Sequence, residues 1–115
     1  MNTFKFSACV FCGSRYGDKK TFKLAAEETG KMLAKNKWRL VYGAGDIGLM
    51  GALANGCQNN GGNTFGVIPK HLLQEEVGKT DLSTFIITES MHERKKLMFT
   101  NCNAIVTLPG GVGSL

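Results

Sequence analysis

Residues 39–51 read Arg39-Leu40-Val41-Tyr42-Gly43-Ala44-Gly45-Asp46-Ile47-Gly48-Leu49-Met50-Gly51. The run from Arg39 to Tyr42, entered by Trp38, is short, apolar and stopped by Gly43, the pattern of a buried strand. From Ile47 to Asn59 the residues Leu49, Met50, Ala52, Leu53, Ala54 and Cys57 recur at helical spacing, and Gly61-Gly62 closes the segment. A strand, a glycine turn and a helix in succession form half of a β-α-β unit, so the neighbouring segments decide whether the unit repeats.

It repeats on both sides. Upstream, Phe4–Phe11 reads as a buried strand ended by Gly13-Ser14, and residues 19–35 as an amphipathic helix carrying Phe22, Leu24, Ala25, Ala26, Met32 and Leu33. Downstream, Thr64–Ile68 reads as a strand stopped by Pro69, and His71–Val77 as a short helix or a loop. Phe85–Thr88 is a further strand, and a helix starts at Ser90, where Ser90-Met91-His92-Glu93 has the S-x-x-E form of a capping box. Ala104–Leu108 is a fifth strand. The expected fold class is α/β: a Rossmann-like parallel sheet with helices on both faces and right-handed crossovers, as a single domain over residues 1–115. In such sheets ligands bind outside the carboxyl ends of the strands. Glycine follows three of those ends, after Phe11, Tyr42 and Leu108.

Composition narrows the function classes. Of 115 residues, 20% are charged and 43% hydrophobic, which argues against a disordered chain. No apolar run approaches the ~18 residues that span a bilayer, and the first residues lack the pattern of a secretory signal. A cytoplasmic location is expected. Fourteen Lys and Arg against nine Asp and Glu leave a net charge of +5, which suits a small anionic ligand. The positive residues are scattered, with one local cluster at Arg94, Lys95 and Lys96, so no nucleic-acid stripe is expected. Cys9 and Cys12 form a C-x-x-C, but no second pair completes a zinc site and Cys9 lies inside a strand, so both read as core residues. His71 and His92 show no metal spacing.

Four features carry chemistry. Gly43-Ala44-Gly45-Asp46-Ile47-Gly48 matches G-x-G-x-x-G literally, yet no acidic residue stands about 20 positions on to meet a ribose, as a nicotinamide dinucleotide site requires. Its continuation, Gly48-Gly51-Ala52, reads as a small-residue face that brings the helix close to the sheet. Pro109-Gly110-Gly111-Val112-Gly113-Ser114 sits at a strand's carboxyl end, where converging backbone N–H groups and a hydroxyl form a phosphate cradle. On the helix from Ser90, the stripe Met91, Arg94 or Lys95, Met98 and Cys102 mixes apolar and cationic groups; either the long side chains snorkel to solvent, or, the favoured reading, Arg94 and Lys95 point into a cleft where an anion or carboxylate meets them. Glu75 and Glu76 read either as a solvated loop or as ligands for ribose hydroxyls.

Together, Ser90-Met91-His92-Glu93-Arg94-Lys95-Lys96-Leu97-Met98 and Leu108-Pro109-Gly110-Gly111-Val112-Gly113-Ser114 resemble the paired M-H-x-R-K-x-x-M and P-G-G-x-G-T-x-x-E motifs of the LOG ("Lonely guy") family of cytokinin riboside 5′-monophosphate phosphoribohydrolases. The segments at 9–14, 41–51 and 66–72 are similar to the family's earlier segments. The resemblance implies a homodimer or larger assembly that hydrolyses a nucleoside 5′-monophosphate, such as AMP or N6-prenyl-AMP, to free base and ribose 5-phosphate, with no cofactor and no metal. It implies Arg94 as catalytic, Glu76, Arg94 and Lys95 as substrate-binding, and Gly110, Gly111, Gly113 and Ser114 as phosphate-binding. Ala44 stands where the family usually has glycine, Asn103 where it has aspartate and Ser114 where it has threonine. The motif's closing glutamate would fall two positions past Leu115, so these residues are expected to be the N-terminal portion of an incomplete domain, truncated after the fifth strand and marginally stable alone. The alternatives are a non-catalytic nucleotide-binding module or inactive fragment, and a nicotinamide-dependent oxidoreductase.

Overall fold

The computed structural model describes residues 3–12 and 20–108. In chain order these form β1 (Phe6–Phe11), α1 (Lys20–Lys35), β2 (Trp38–Tyr42), α2 (Gly48–Gln58), β3 (Thr64–Pro69), a 3-10 turn (Lys70–Leu72), β4 (Thr84–Thr88), α3 (Met91–Thr100) and β5 (Ala104–Thr107). The strands make one sheet in the order β4-β3-β2-β1-β5, with every neighbouring pair parallel. Each expected strand and helix is present. The ambiguous segment at 71–77 resolves into the 3-10 turn and a series of turns.

Topology dictates the layers. The chain steps outward from β1 to β4 and then returns across β1 to β5, so crossovers of one hand place α1 and α2 on one face and α3 on the other. Strand alternation supplies a core to each face. Ala8, Val10, Leu40, Tyr42 and Ile68 pack with Ala26, Leu33, Leu49, Leu53 and Cys57 of α1 and α2. Cys9, Val41, Phe65 and Val67 pack with Met98 of α3. Cys9 and Cys12 thus fall in different cores.

Small residues serve a different contact from the one the sequence implies. A Cβ on Gly51 would come within 2.6 Å of the Asp46 carbonyl oxygen, so Gly51 makes room for the loop before its own helix. The close approach is between α1 and α2: a Cβ on Gly30 would lie 2.1 Å from the Leu53 carbonyl oxygen, and one on Gly56 2.2 Å from that of Glu27.

The amino-terminal edge of the sheet is tied by Arg39. Its guanidinium lies over the rings of Phe4 and Phe65, donates from Nε to Ser7 Oγ (2.9 Å) and from Nη2 to the Asn101 carbonyl (3.0 Å). Asn103 closes β1 against β5 there, since its Oδ1 accepts from the Ser7 amide at 2.8 Å, a bond that an aspartate could also accept. No described helix is long and apolar enough to cross a membrane.

Candidate active site at the carboxyl edge

The chain leaves β1 toward β2 on one side and comes back to β5 on the other, so strand order reverses between β1 and β5 and the crevice outside their carboxyl ends is the topological switch point. The proposed phosphate residues Gly110, Gly111, Gly113 and Ser114 follow β5 and lie outside the described residues. Next to that crevice, over the ends of β2 and β3, sits a buried ion pair.

The pair is built from α3. Ser90 caps the helix, its Oγ accepting from the Glu93 amide at 3.1 Å, and this fixes the first turn at the carboxyl edge of β4. Arg94 and Met98 then share the face turned to the sheet, and both are buried. Arg94 Nε donates to the Val67 carbonyl (2.8 Å), and Nη2 donates to the Gly43 carbonyl and to Glu76 Oε1 (2.8 Å). Nη1 reaches Met91 Sδ at 3.7 Å. A guanidinium has five N–H donors, so among the described residues one Nη1 donor is left for a ligand. The expectation that Arg94 meets a carboxylate holds, and the carboxylate is Glu76. Lys95 does not join them: one residue further round the helix, its side chain is exposed. Glu75 is exposed as well, whereas Glu76 is half-buried.

Burial, and secondarily the Glu76 carboxylate, push the Cys12 thiol up to about 12. The described constellation is Glu76 and Arg94, held over β2 and β3.

The glycine loop after β2 is shaped by this pair. A Cβ on Gly43 would lie 2.1 Å from Arg94 Nη2, so glycine there makes space for the guanidinium. Gly48 opens α2 at φ +57°, a conformation that favours glycine. The Asp46 amide donates to the carbonyls of Glu76 (3.0 Å) and Val77 (2.8 Å), and Gly45 bridges Gly78 in antiparallel fashion. A strap at residues 76–79 thus occupies the loop that the G-x-G-x-x-G spacing would offer to a pyrophosphate. Ala44, where glycine is usual in the resembled family, adopts φ +62°.

Sequence reasoning missed Lys79. Its ammonium is buried and lies 3.4 Å from Asp46 Oδ1 and 3.2 Å from Asp81 Oδ1, while its amide donates to the Ala44 carbonyl at 2.8 Å. No local spacing relates Lys79 to Asp46, so only the fold discloses the pair. No group of three or more metal-ligating side chains occurs among the described residues.

The model of the SLOG cluster4 family matches residues 7–115. A probable cytokinin riboside 5′-monophosphate phosphoribohydrolase of Oryza sativa subsp. japonica is 46% identical over 93% of this chain and 47% of its own length. The cytokinin riboside 5′-monophosphate phosphoribohydrolase of Mycobacterium marinum is 38% identical over 96% of this chain and 59% of its own. The chain thus spans about half the length of the curated relatives it matches. Among solved structures, the Moco carrier protein of Chlamydomonas reinhardtii superposes with a TM-score of 0.76 at 23% identity, over 96% of this chain and 67% of that one, a likeness of fold.

Proposed function

Because the chain belongs to the SLOG cluster4 family, we propose that the whole protein hydrolyses the N-glycosidic bond of adenosine 5′-monophosphates, N6-substituted ones included, to free base and ribose 5-phosphate. The observation that carries the reading is the Glu76–Arg94 pair, buried at the carboxyl edge beside the switch point. The names of the relatives support it.

The chemistry fits these groups. As the C1′–N bond breaks, its electron pair leaves with the base and positive charge builds on the ribose, as in glycosidase transition states. Water adds to C1′, and its proton passes to the leaving base. Glu76, held by Arg94, is the described carboxylate that meets the ribose hydroxyls and the developing charge. The remaining Nη1 donor of Arg94 addresses the substrate from the same side. Gly110, Gly111, Gly113 and Ser114 take the phosphate, exposed Lys95 adds positive charge to its approach, and the protein works as a cytoplasmic homodimer.

The test is to incubate the protein with AMP and with N6-prenyl-AMP and to follow free base by chromatography. Release from either supports the reading. No release from either overturns it, and AMP binding without release would assign a non-catalytic nucleotide-binding module instead.

A further inference from the structure

The strap that carries Glu76 is held in an unfavourable conformation. Val77, β-branched, sits at φ +51°, a region unfavourable for such a residue that persists only where the surroundings over-determine it. Those surroundings are the Asp46 amide on the Glu76 and Val77 carbonyls, the Lys79 amide on the Ala44 carbonyl, and the Lys79 ammonium on Asp46. Of the pair, Lys79 is buried and Asp46 is part-exposed. Such a pair adds little net stability, so its contribution here is to fix geometry.

We infer that Lys79, through Asp46, is a positioning residue that holds the strap in the one register where Glu76 reaches Arg94. The links are continuous. Lys79 fixes Asp46, the Asp46 amide fixes the carbonyls of Glu76 and Val77, and the Glu76 side chain then meets Arg94 Nη2 at 2.8 Å. Asp81, whose side chain is mostly exposed, contributes little by comparison. The inference rests on the proposed nucleotide site for its ligand, though not for its structural readout.

The experiment compares wild type, Lys79→Met, Lys79→Arg and Asp81→Asn by calorimetric titration with AMP and by amide hydrogen exchange. Lys79→Met is expected to weaken the AMP dissociation constant about 10-fold, because small displacements of a binding group carry large penalties. A merely structural loss would lower the fraction of binding sites and leave that constant unchanged. Exchange at the amides of Asp46 and residue 79 is expected to accelerate about 10-fold while Val41 and Val67 stay protected, a local opening rather than a global one. Lys79→Arg should restore both readouts, and Asp81→Asn should leave both near wild type. Unchanged exchange at those two amides, or acceleration equal to that of the strands, overturns the inference even if AMP does not bind. Wild type that binds AMP but releases no base overturns the hydrolase reading alone.

Discussion

At the scale of the residue, Arg94 is a clamp before it is a ligand for substrate. Its guanidinium satisfies two backbone carbonyls, on β3 and on the loop after β2, and neutralises Glu76. Arg94→Ala would leave a half-buried carboxylate and two carbonyls without their donor, so lost activity would be mixed with a stability loss of about 3–5 kcal/mol. Gly43→Ala separates the two effects better. The added Cβ falls 2.1 Å from Arg94 Nη2 and moves the guanidinium without removing its charge. Overpacking of this kind costs about 1–3 kcal/mol. We expect the denaturant midpoint to fall accordingly and base release to drop at least tenfold; an active Gly43→Ala protein of wild-type stability would contradict the clamp. Sequence alone placed Arg94 on a mixed apolar and cationic stripe, but could not separate it from Lys95, because that distinction depends on how far α3 is rotated about its axis. It offered Glu75 and Glu76 alike as ribose ligands and singled out Glu76 only through the resemblance, since no local spacing ties Glu76 to Arg94, 18 residues on.

At the scale of the element, the boundaries were legible wherever a physical stop exists. Gly43 ends β2, Pro69 ends β3, and the Ser90–Glu93 cap starts α3. Strand order was not legible, because the pairing of β1 with both β2 and β5 depends on crossover direction rather than on any residue. The glycine loop has dinucleotide spacing, but the missing acidic residue already spoke against that reading, and the strap packed on the loop agrees. One element end remains unoptimised. α1 stops at Lys35, and exposed Lys37 follows at φ +63°, its amide donating to the Ala34 carbonyl as in a left-handed helix cap. Glycine adopts that conformation freely. Lys37→Gly is therefore expected to stabilise the fold by about 1 kcal/mol, with a rise of about 4 °C in the thermal midpoint. Its carbonyl still accepts from Lys5, so the strand pairing is untouched. A lowered midpoint would show that the Lys37 side chain contributes something its exposure conceals.

At the scale of the whole molecule, the two cores share a chemical liability. Cys9 lies in the α3-side core, while Cys12 and Cys57 lie in the core beneath α1 and α2. Burial is the main cause of all three shifts, pushing Cys9 and Cys12 up to about 12 and Cys57 to about 11 from an ordinary value of 9.0. Buried Tyr42, whose hydroxyl donates to the Gly45 carbonyl, is pushed up as well. Between pH 9 and 11 the folded protein keeps these protons while the unfolded chain gives up its thiol protons. The folded state then binds more protons, so stability falls as pH rises. The stabilising contribution is complete below pH 9 and disappears toward the folded-state values. Each thiol contributes a slope of about 1.4 kcal/mol per pH unit, and three together about 4, against a total stability of about 5–15 kcal/mol for a domain. The thermal midpoint should therefore be level from pH 7 to about 8.5 and drop steeply above pH 9.5. Replacing Cys9, Cys12 and Cys57 together by alanine should lower the midpoint at neutral pH, through lost packing, yet flatten the alkaline decline. A decline equally steep in that triple variant would move its cause from the cores to the surface lysines, whose deprotonation is the other charge change in this range.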